Sequence, residues 1–255
     1  MIACREAARE AATFVAEQSL RLAELDWRPK SRADFVSTVD TGAEERVRAV
    51  LARRFPMATI VGEELSPDET RRDGIVFVVD PLDGTTNFLH GYPQYAVSIA
   101  CMVDGILEAG VVHDVTRDIQ FHARRGMGAF REGNAIRVSQ IEKPSRALIG
   151  TGFPFRDPEH LDPYLDAFKR VAREAAGLRR AGAAALDLAD VACGRFDAFF
   201  EFSLSPWDIA AGVLLIREAG GIVTDVNGVE KDVAHGSVVA GNPIMHAWVL
   251  DRLRP

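Results

Sequence analysis

Residues 80 to 87 read Asp-Pro-Leu-Asp-Gly-Thr-Thr-Asn, two carboxylates three positions apart after the apolar run Ile75-Val76-Phe77-Val78-Val79. The run is β-branched and aromatic and follows Asp73-Gly74, the pattern of a short buried strand ending at Asp80. Pro81 lacks an amide donor and has a fixed φ. The chain is therefore expected to leave the sheet in a stiff turn that aims Asp80, the Leu82 carbonyl and Asp83 at one point. Carboxylate and carbonyl oxygens are hard ligands and suit Mg²⁺ better than a soft metal. Gly84-Thr85-Thr86-Asn87 adds two hydroxyls and backbone N–H groups where a helix or tight turn could begin, a local geometry that receives a phosphate oxyanion. The chemistry indicated is metal-assisted phosphate ester hydrolysis. The residue types of Asp-Pro-x-Asp-Gly are also turn-favoured, so the choice between a site and a plain surface turn rests on other acidic clusters.

Gly62-Glu63-Glu64 follows the apolar stretch Ala58-Thr59-Ile60-Val61, which places a carboxylate at another strand end, although a solvated charge pair would read the same way. Phe196-Asp197-Ala198-Phe199-Phe200-Glu201 reads as a strand leading to Glu201. Ser205-Pro206-Trp207-Asp208 opens an apolar helix with Ser205 at N-cap, Pro206 at N1 and Asp208 at N3. Capping alone accounts for a carboxylate at 208, but not for the Trp beside it.

These clusters, in this order, resemble the inositol monophosphatase family, whose motifs are D-P-x-D-G-T-x-N, a preceding G-E-E and a late W-D before an apolar helix. Further likeness lies in Asn87-Phe88-Leu89-His90-Gly91-Tyr92-Pro93, Gly126-Met127-Gly128-Ala129-Phe130, Arg137-Val138-Ser139, Leu186-Asp187-Leu188-Ala189 and Gly194-Arg195, so that it covers nearly the whole chain. Gly150 to Phe155, Arg179-Arg180-Ala181-Gly182 and Glu218-Ala219-Gly220-Gly221 look most like the bacterial inositol-1-monophosphatases.

The resemblance implies two or three Mg²⁺ ions per site. Glu63, Asp80 and the Leu82 carbonyl would hold the first, and Asp80, Asp83 and Asp208 the second. Asp40, with five carboxylates then expected in one cleft, would pair with the Thr85 hydroxyl to orient or deprotonate the attacking water; it is also a helix-cap candidate. Gly84 and Thr85 amides would bind phosphate, while Glu201, Asp83, Asp208 and Gly182, Ala183 and Ala184 would face the substrate. Lys30 matches a mobile-loop lysine, though a solvated linker lysine reads the same. Two departures stand out: Ala183 where the family usually carries a hydroxyl, which bears on substrate preference, and Val115 where a turn proline is common.

The same resemblance implies a layered αβαβα sandwich of the inositol monophosphatase/fructose-bisphosphatase type, a small-molecule phosphate ester as substrate, lithium sensitivity and a homodimer. Within the superfamily the alternatives are fructose-1,6-bisphosphatase, nucleotide 3′-phosphatase and histidinol-phosphatase. From another class comes a regulatory protein that binds RNA polymerase or RNA, whose mark would be a basic surface or ruined ligands.

Composition is compatible with these expectations. The 255 residues are 47% hydrophobic, enough for one large or two small cores, and carry a net charge of −7 from 37 acidic and 30 basic residues. No Lys/Arg run suggests a nucleic-acid surface. Cys4, Cys101 and Cys193 lack paired or metal-type spacing and read as reduced thiols, and with no membrane-length apolar run or signal-peptide core the protein is expected to be cytoplasmic.

The elements that must position these residues follow from periodicity. Residues 2 to 25 have helical spacing, Trp27 to Ala33 reads as a polar link, and Asp34 to Val39 as a short strand. Thr41 with Glu44 makes a capping-box start for a helix through Phe55. Strands dominate from Ala58 to Val138, giving an α+β half over residues 1–143 that carries the metal and phosphate groups. Residues 144–255 alternate strand and helix and form an α/β half that completes the site, the two making one compact unit.

Overall fold

A computed structural model describes residues 1–25, 27–31, 34–154, 159, 161–230, 233 and 235–254. Helix α1 (Ile2–Ser19) buries Ala3, Ala7, Ala8, Ala11, Ala12 and Val15, one face at three- and four-residue spacing made mostly of the smallest side chain. Strands β1 (Trp27–Ser31) and β2 (Asp34–Ser37) pair antiparallel, so the stretch expected as a polar link contains a strand. No apolar alternation marks Trp27 to Ser31; partnership with β2 makes it a strand.

Helix α2 (Thr38–Arg54) also departs from expectation at its start. Strand β2 keeps the backbone extended through Ser37, so the capping box is Ser37 with Asp40, one turn before Thr41 and Glu44. Glu44 thereby falls inside the helix, where it is buried.

A seven-stranded sheet follows, in the order β3 (Thr59–Gly62), β4 (Ile75–Asp83), β5 (Ala96–Val103), β6 (Ile106–Asp114), β7 (Ile119–Arg124), β8 (Ala129–Arg131) and β9 (Asn134–Ile136), with α3 (Thr85–Leu89) after β4. Only β3 and β4 are parallel. The second sheet has the order β11 (Gly177–Arg179), β10 (Leu148–Thr151), β12 (Ala198–Leu204), β14 (Gly236–Gly241), β13 (Ile222–Thr224). Its helices are α4 (Leu161–Ala172), α5 (Ala184–Ala192), α6 (Pro206–Glu218) and α7 (Pro243–Leu253).

Period-two alternation makes the layers. In β4, Phe77 and Val79 pack with α1 and α2, while Val76 and Val78 face the cluster that holds Leu188 of α5 and Leu215 of α6. Helices α5 and α6 thus lie between the two sheets. The outer face of the second sheet buries Ile149, Phe200 and Val239 against Tyr164 of α4 and Met245 and Val249 of α7. The result is an αβαβα layered sandwich of mixed sheets, as expected. No described helix is long and apolar enough to cross a membrane.

Candidate metal and phosphate site

Strand β4 does not stop at Asp80; it runs on to Asp83. Asp80 pairs with Ser98 and Asp83 with Ala96, so three steps on β4 oppose two on β5. This bulge accommodates Pro81, which has no donor for the ladder, and re-aims both carboxylates. The missing amide also leaves Asp80 Oδ1 to accept from the next donor, Leu82 N, at 3.0 Å, an Asx turn that holds the carboxyl in place.

Gly84 then adopts φ +92°, and a Cβ there would sit 2.9 Å from the Gln94 carbonyl. Both conformation and space demand glycine between Asp83 and the short helix α3. Asn87 donates to the Gln94 carbonyl at 2.7 Å and the Ala181 carbonyl at 2.9 Å, joining the motif to the segment before α5. Asp83 makes a second tie: its Oδ2 accepts from Ala185 N at 2.7 Å. Helix α5 has Ala183 at N-cap and no side-chain cap of its own, so a carboxylate from the other sheet takes that task. The hydroxyl absent at Ala183 is not needed for capping.

A cavity of about 300 Å³ opens where these elements meet, lined by Glu63, Asp80, Leu82, Asp83, Gly84, Thr85, Gly182, Ala183, Ala184, Glu201 and Asp208 among others. Asp208 reaches it from the first turn of α6, with Oδ2 accepting from Ser205 N at 2.7 Å. Glu201 reaches it from mid-strand β12. Its carboxylate lies directly on Gly152, where any Cβ would overlap it. The β12 register then shifts between Glu201 and Leu204, and Ser203 takes φ +63°, a strained conformation for a residue with a Cβ.

Asp40 is the exception among the five carboxylates expected in the cleft. It is buried beneath the cavity wall, with Oδ1 accepting from Thr85 Oγ1 at 2.8 Å and Oδ2 accepting from Ser37 N at 2.8 Å and Ser37 Oγ at 2.7 Å. Its N3 position in α2 hides it from the cavity and leaves Thr85 to face the opening. The Lys30 side chain lies outside the described residues.

Electrostatics sets these carboxyls apart from ordinary surface acids. Burial, then the nearby charges of Glu63, Asp83 and Asp208, push Asp80 well above the usual carboxylate range. Burial and Asp208 push Asp83 up to about 8, against the lowering effect of the Ala185 amide. Like charges in a poorly solvated space favour either protons or a cation. Among the described residues no three acidic, His or Cys side chains stand in an arrangement that could hold a metal ion without some movement.

Three contributors had no role in the site assigned from sequence, Glu44 being expected only as a helix cap. Glu44 accepts from Glu64 N at 2.8 Å and Leu65 N at 3.2 Å, holding the turn that carries Glu63, while Arg48 pairs with it at 2.7 Å. Its position on the 40, 44, 47, 51 stripe of α2 was the available signal. Arg180 and Asp187 also line the cavity. Both stand in stretches recognised by resemblance, but nothing in their spacing marked a function. Trp207, which capping left unaccounted for, packs on the core beside Asp208.

The model of the inositol monophosphatase family matches residues 1–254. The Nus factor SuhB of Pseudomonas aeruginosa is 46% identical over 253 residues, 98% of this chain and 93% of that protein. The extragenic suppressor protein suhB from Bartonella henselae superposes with a TM-score of 0.93 at 38% identity, covering 100% of this chain and 98% of that one. SaIMPase-II from Staphylococcus aureus superposes with a TM-score of 0.83 at 26% identity, covering 98% and 92%. The motifs, the layered fold and these matches agree over the full length: the chain belongs to the inositol monophosphatase family.

Proposed function

We propose that this protein is a Mg²⁺-dependent, lithium-sensitive phosphate monoester hydrolase of the inositol-1-monophosphatase type, releasing inositol and phosphate from myo-inositol monophosphates. The supporting observation is the convergence of Glu63, Asp80, Asp83 and Asp208 on one cavity, where burial and mutual repulsion raise Asp80 and Asp83. Four carboxylates and the Leu82 carbonyl are the hard-oxygen donor set that Mg²⁺ takes. Bound there, Mg²⁺ supplies Lewis acidity and charge neutralisation for in-line displacement at phosphorus.

Glu63, Asp80 and the Leu82 carbonyl would hold one ion and Asp80, Asp83 and Asp208 a second. The chain's own acid–base chemistry centres on Thr85. With its proton directed at Asp40, the Thr85 oxygen offers lone pairs to a water in the cavity; the proton lost by that water passes to Thr85 while Asp40 receives the Thr85 proton. Of the residues lining the cavity, Gly84 and Thr85 would receive the phosphate, and Glu201 and the Gly182 to Ala184 turn the alcohol. A homodimer belongs to the same reading and is read by sedimentation.

SaIMPase-II has been solved with inositol monophosphate and with 2′AMP, so the choice of ester in this chain is a matter for assay. A panel of phosphate esters with and without Mg²⁺ tests the reading. Asp80→Asn should reduce Mg²⁺-dependent phosphate release by about 10²-fold or more with an unchanged fold, since a neutral amide is a poor anionic ligand. More than about a tenth of wild-type activity in that variant overturns the assignment.

The name Nus factor carried by a relative 46% identical favours a second reading, a regulatory role in transcription. Complementation of a deletion strain by Asp80→Asn separates the two. Full rescue by the inactive variant makes the regulatory role the physiological one, and failure to rescue makes it hydrolysis.

A further inference from the structure

Helix α5 is apolar throughout its buried face, Ala184, Ala185, Leu186, Leu188, Ala189, Val191 and Ala192, except for Asp187. Asp187 is 1% exposed, lines the cavity, and its Oδ1 is shut off from solvent with no hydrogen-bond partner. A buried carboxyl oxygen without a partner costs free energy that a leucine would not, so an unpaired one at a cavity wall points to a partner that arrives with a ligand. A first-turn acid also suits a helix N-terminus, but that interaction requires neither burial nor a place on the cavity.

We propose that Asp187 is a substrate-specificity residue whose carboxyl hydrogen-bonds a hydroxyl of the alcohol part of the phosphate ester, alongside Glu201. The inference rests on the phosphatase reading above. Asp187 lines the same cavity as Arg180, Glu201 and Gly152, near enough to feel the charges of Glu201 and Arg180. The terminal torsion of an Asp side chain is broad and twofold, so rotation exchanges the two oxygens.

Burial, then the charges of Glu201, Asp83 and Asp190, push the Asp187 carboxyl well above the usual range, with Arg180 opposing. Such surroundings favour the protonated carboxyl, which can both donate to a hydroxyl and accept from one. Glu201 and Asp187 together would read neighbouring hydroxyls of a polyol, whereas an aryl phosphate gives neither a partner.

The test compares kcat/KM for myo-inositol 1-phosphate with that for p-nitrophenyl phosphate, with Mg²⁺, in wild type, Asp187→Ala and Asp187→Asn. Loss of one hydrogen bond in a buried site is expected to lower the inositol-to-aryl ratio at least about tenfold in Asp187→Ala. Asp187→Asn, which keeps a neutral donor and acceptor, should stay within that limit. A ratio in Asp187→Ala that falls less than tenfold overturns the proposal, as does an equal fall in both variants. A wild type that hydrolyses neither ester overturns the phosphatase reading instead. A crystal structure of the wild type with Ca²⁺ and myo-inositol 1-phosphate reads the contact whether or not the variants fold. A substrate hydroxyl within about 3.2 Å of the Asp187 carboxyl is expected, and its absence refutes the role.

Discussion

Thr85 and Asp40, 45 residues apart, share a 2.8 Å hydrogen bond that joins the cavity wall to the first turn of a helix. Ser37 fixes the other Asp40 oxygen through both its amide and its hydroxyl, so Thr85 meets an acceptor that cannot swing away. If the pair activates water as one unit, Asp40→Asn or Thr85→Ala should each lower kcat about 10²–10⁴-fold with little change in KM. The double variant should be scarcely worse than the worse single. Losses that simply multiply in a double-mutant cycle would mean that the two residues act independently.

Glu201→Gln should alter discrimination among alcohols more than Mg²⁺ requirement, because in the proposed reading its carboxylate, which rests on Gly152 at the cavity wall, would meet the alcohol and not the metal. The measurement is the kcat/KM ranking of a polyol phosphate series together with a Mg²⁺ titration. A much higher Mg²⁺ requirement with an unchanged ranking would place Glu201 among the metal ligands.

Asp80 and Asp83 hold protons more tightly in the folded chain than in the unfolded one. Their contribution is fully present below the unfolded carboxylate pKa of about 3.9 and is lost as pH rises through the folded value, about 8 for Asp83. The Tm of EDTA-treated protein should therefore fall between about pH 5 and pH 8, and Mg²⁺ should recover most of the loss at the alkaline end. Scanning calorimetry with and without the ion reads both slopes. A metal-free Tm that is flat or rises through this window contradicts the assignment of these two groups.

Glu44 is buried beneath the turn that carries Glu63, with two backbone amides and Arg48 as partners. Glu44→Ala leaves those donors unmet and should destabilise the fold by about 3 kcal/mol, the scale for breaking a buried charge pair. At permissive temperature it should also raise the Mg²⁺ concentration needed for half-maximal activity. Urea melts and a Mg²⁺ titration read the two effects, and a variant that loses stability without any change in Mg²⁺ dependence confines Glu44 to the fold.

By itself the sequence determined the identity of the acidic residues, their places beside strands and helices, the alternation that layers β4 between two cores, and the family. These are local properties, carried by residue type and by periods of two and 3.6. Tertiary structure decided what periodicity does not encode. Two capping boxes compete over residues 37–44, and the end of β2 selects Ser37 with Asp40, which hides Asp40 behind Thr85. The strand through Pro81 continues because β5 tolerates a bulge opposite it. Asp83 caps a helix 102 residues away, Asn87 reaches a carbonyl 94 residues away, and Asp187 and Arg180 come to the cavity only when α5 is clamped between the sheets. Such contacts depend on how layers stack and on which buried polar groups find partners there, and no short stretch of sequence contains both halves of that geometry.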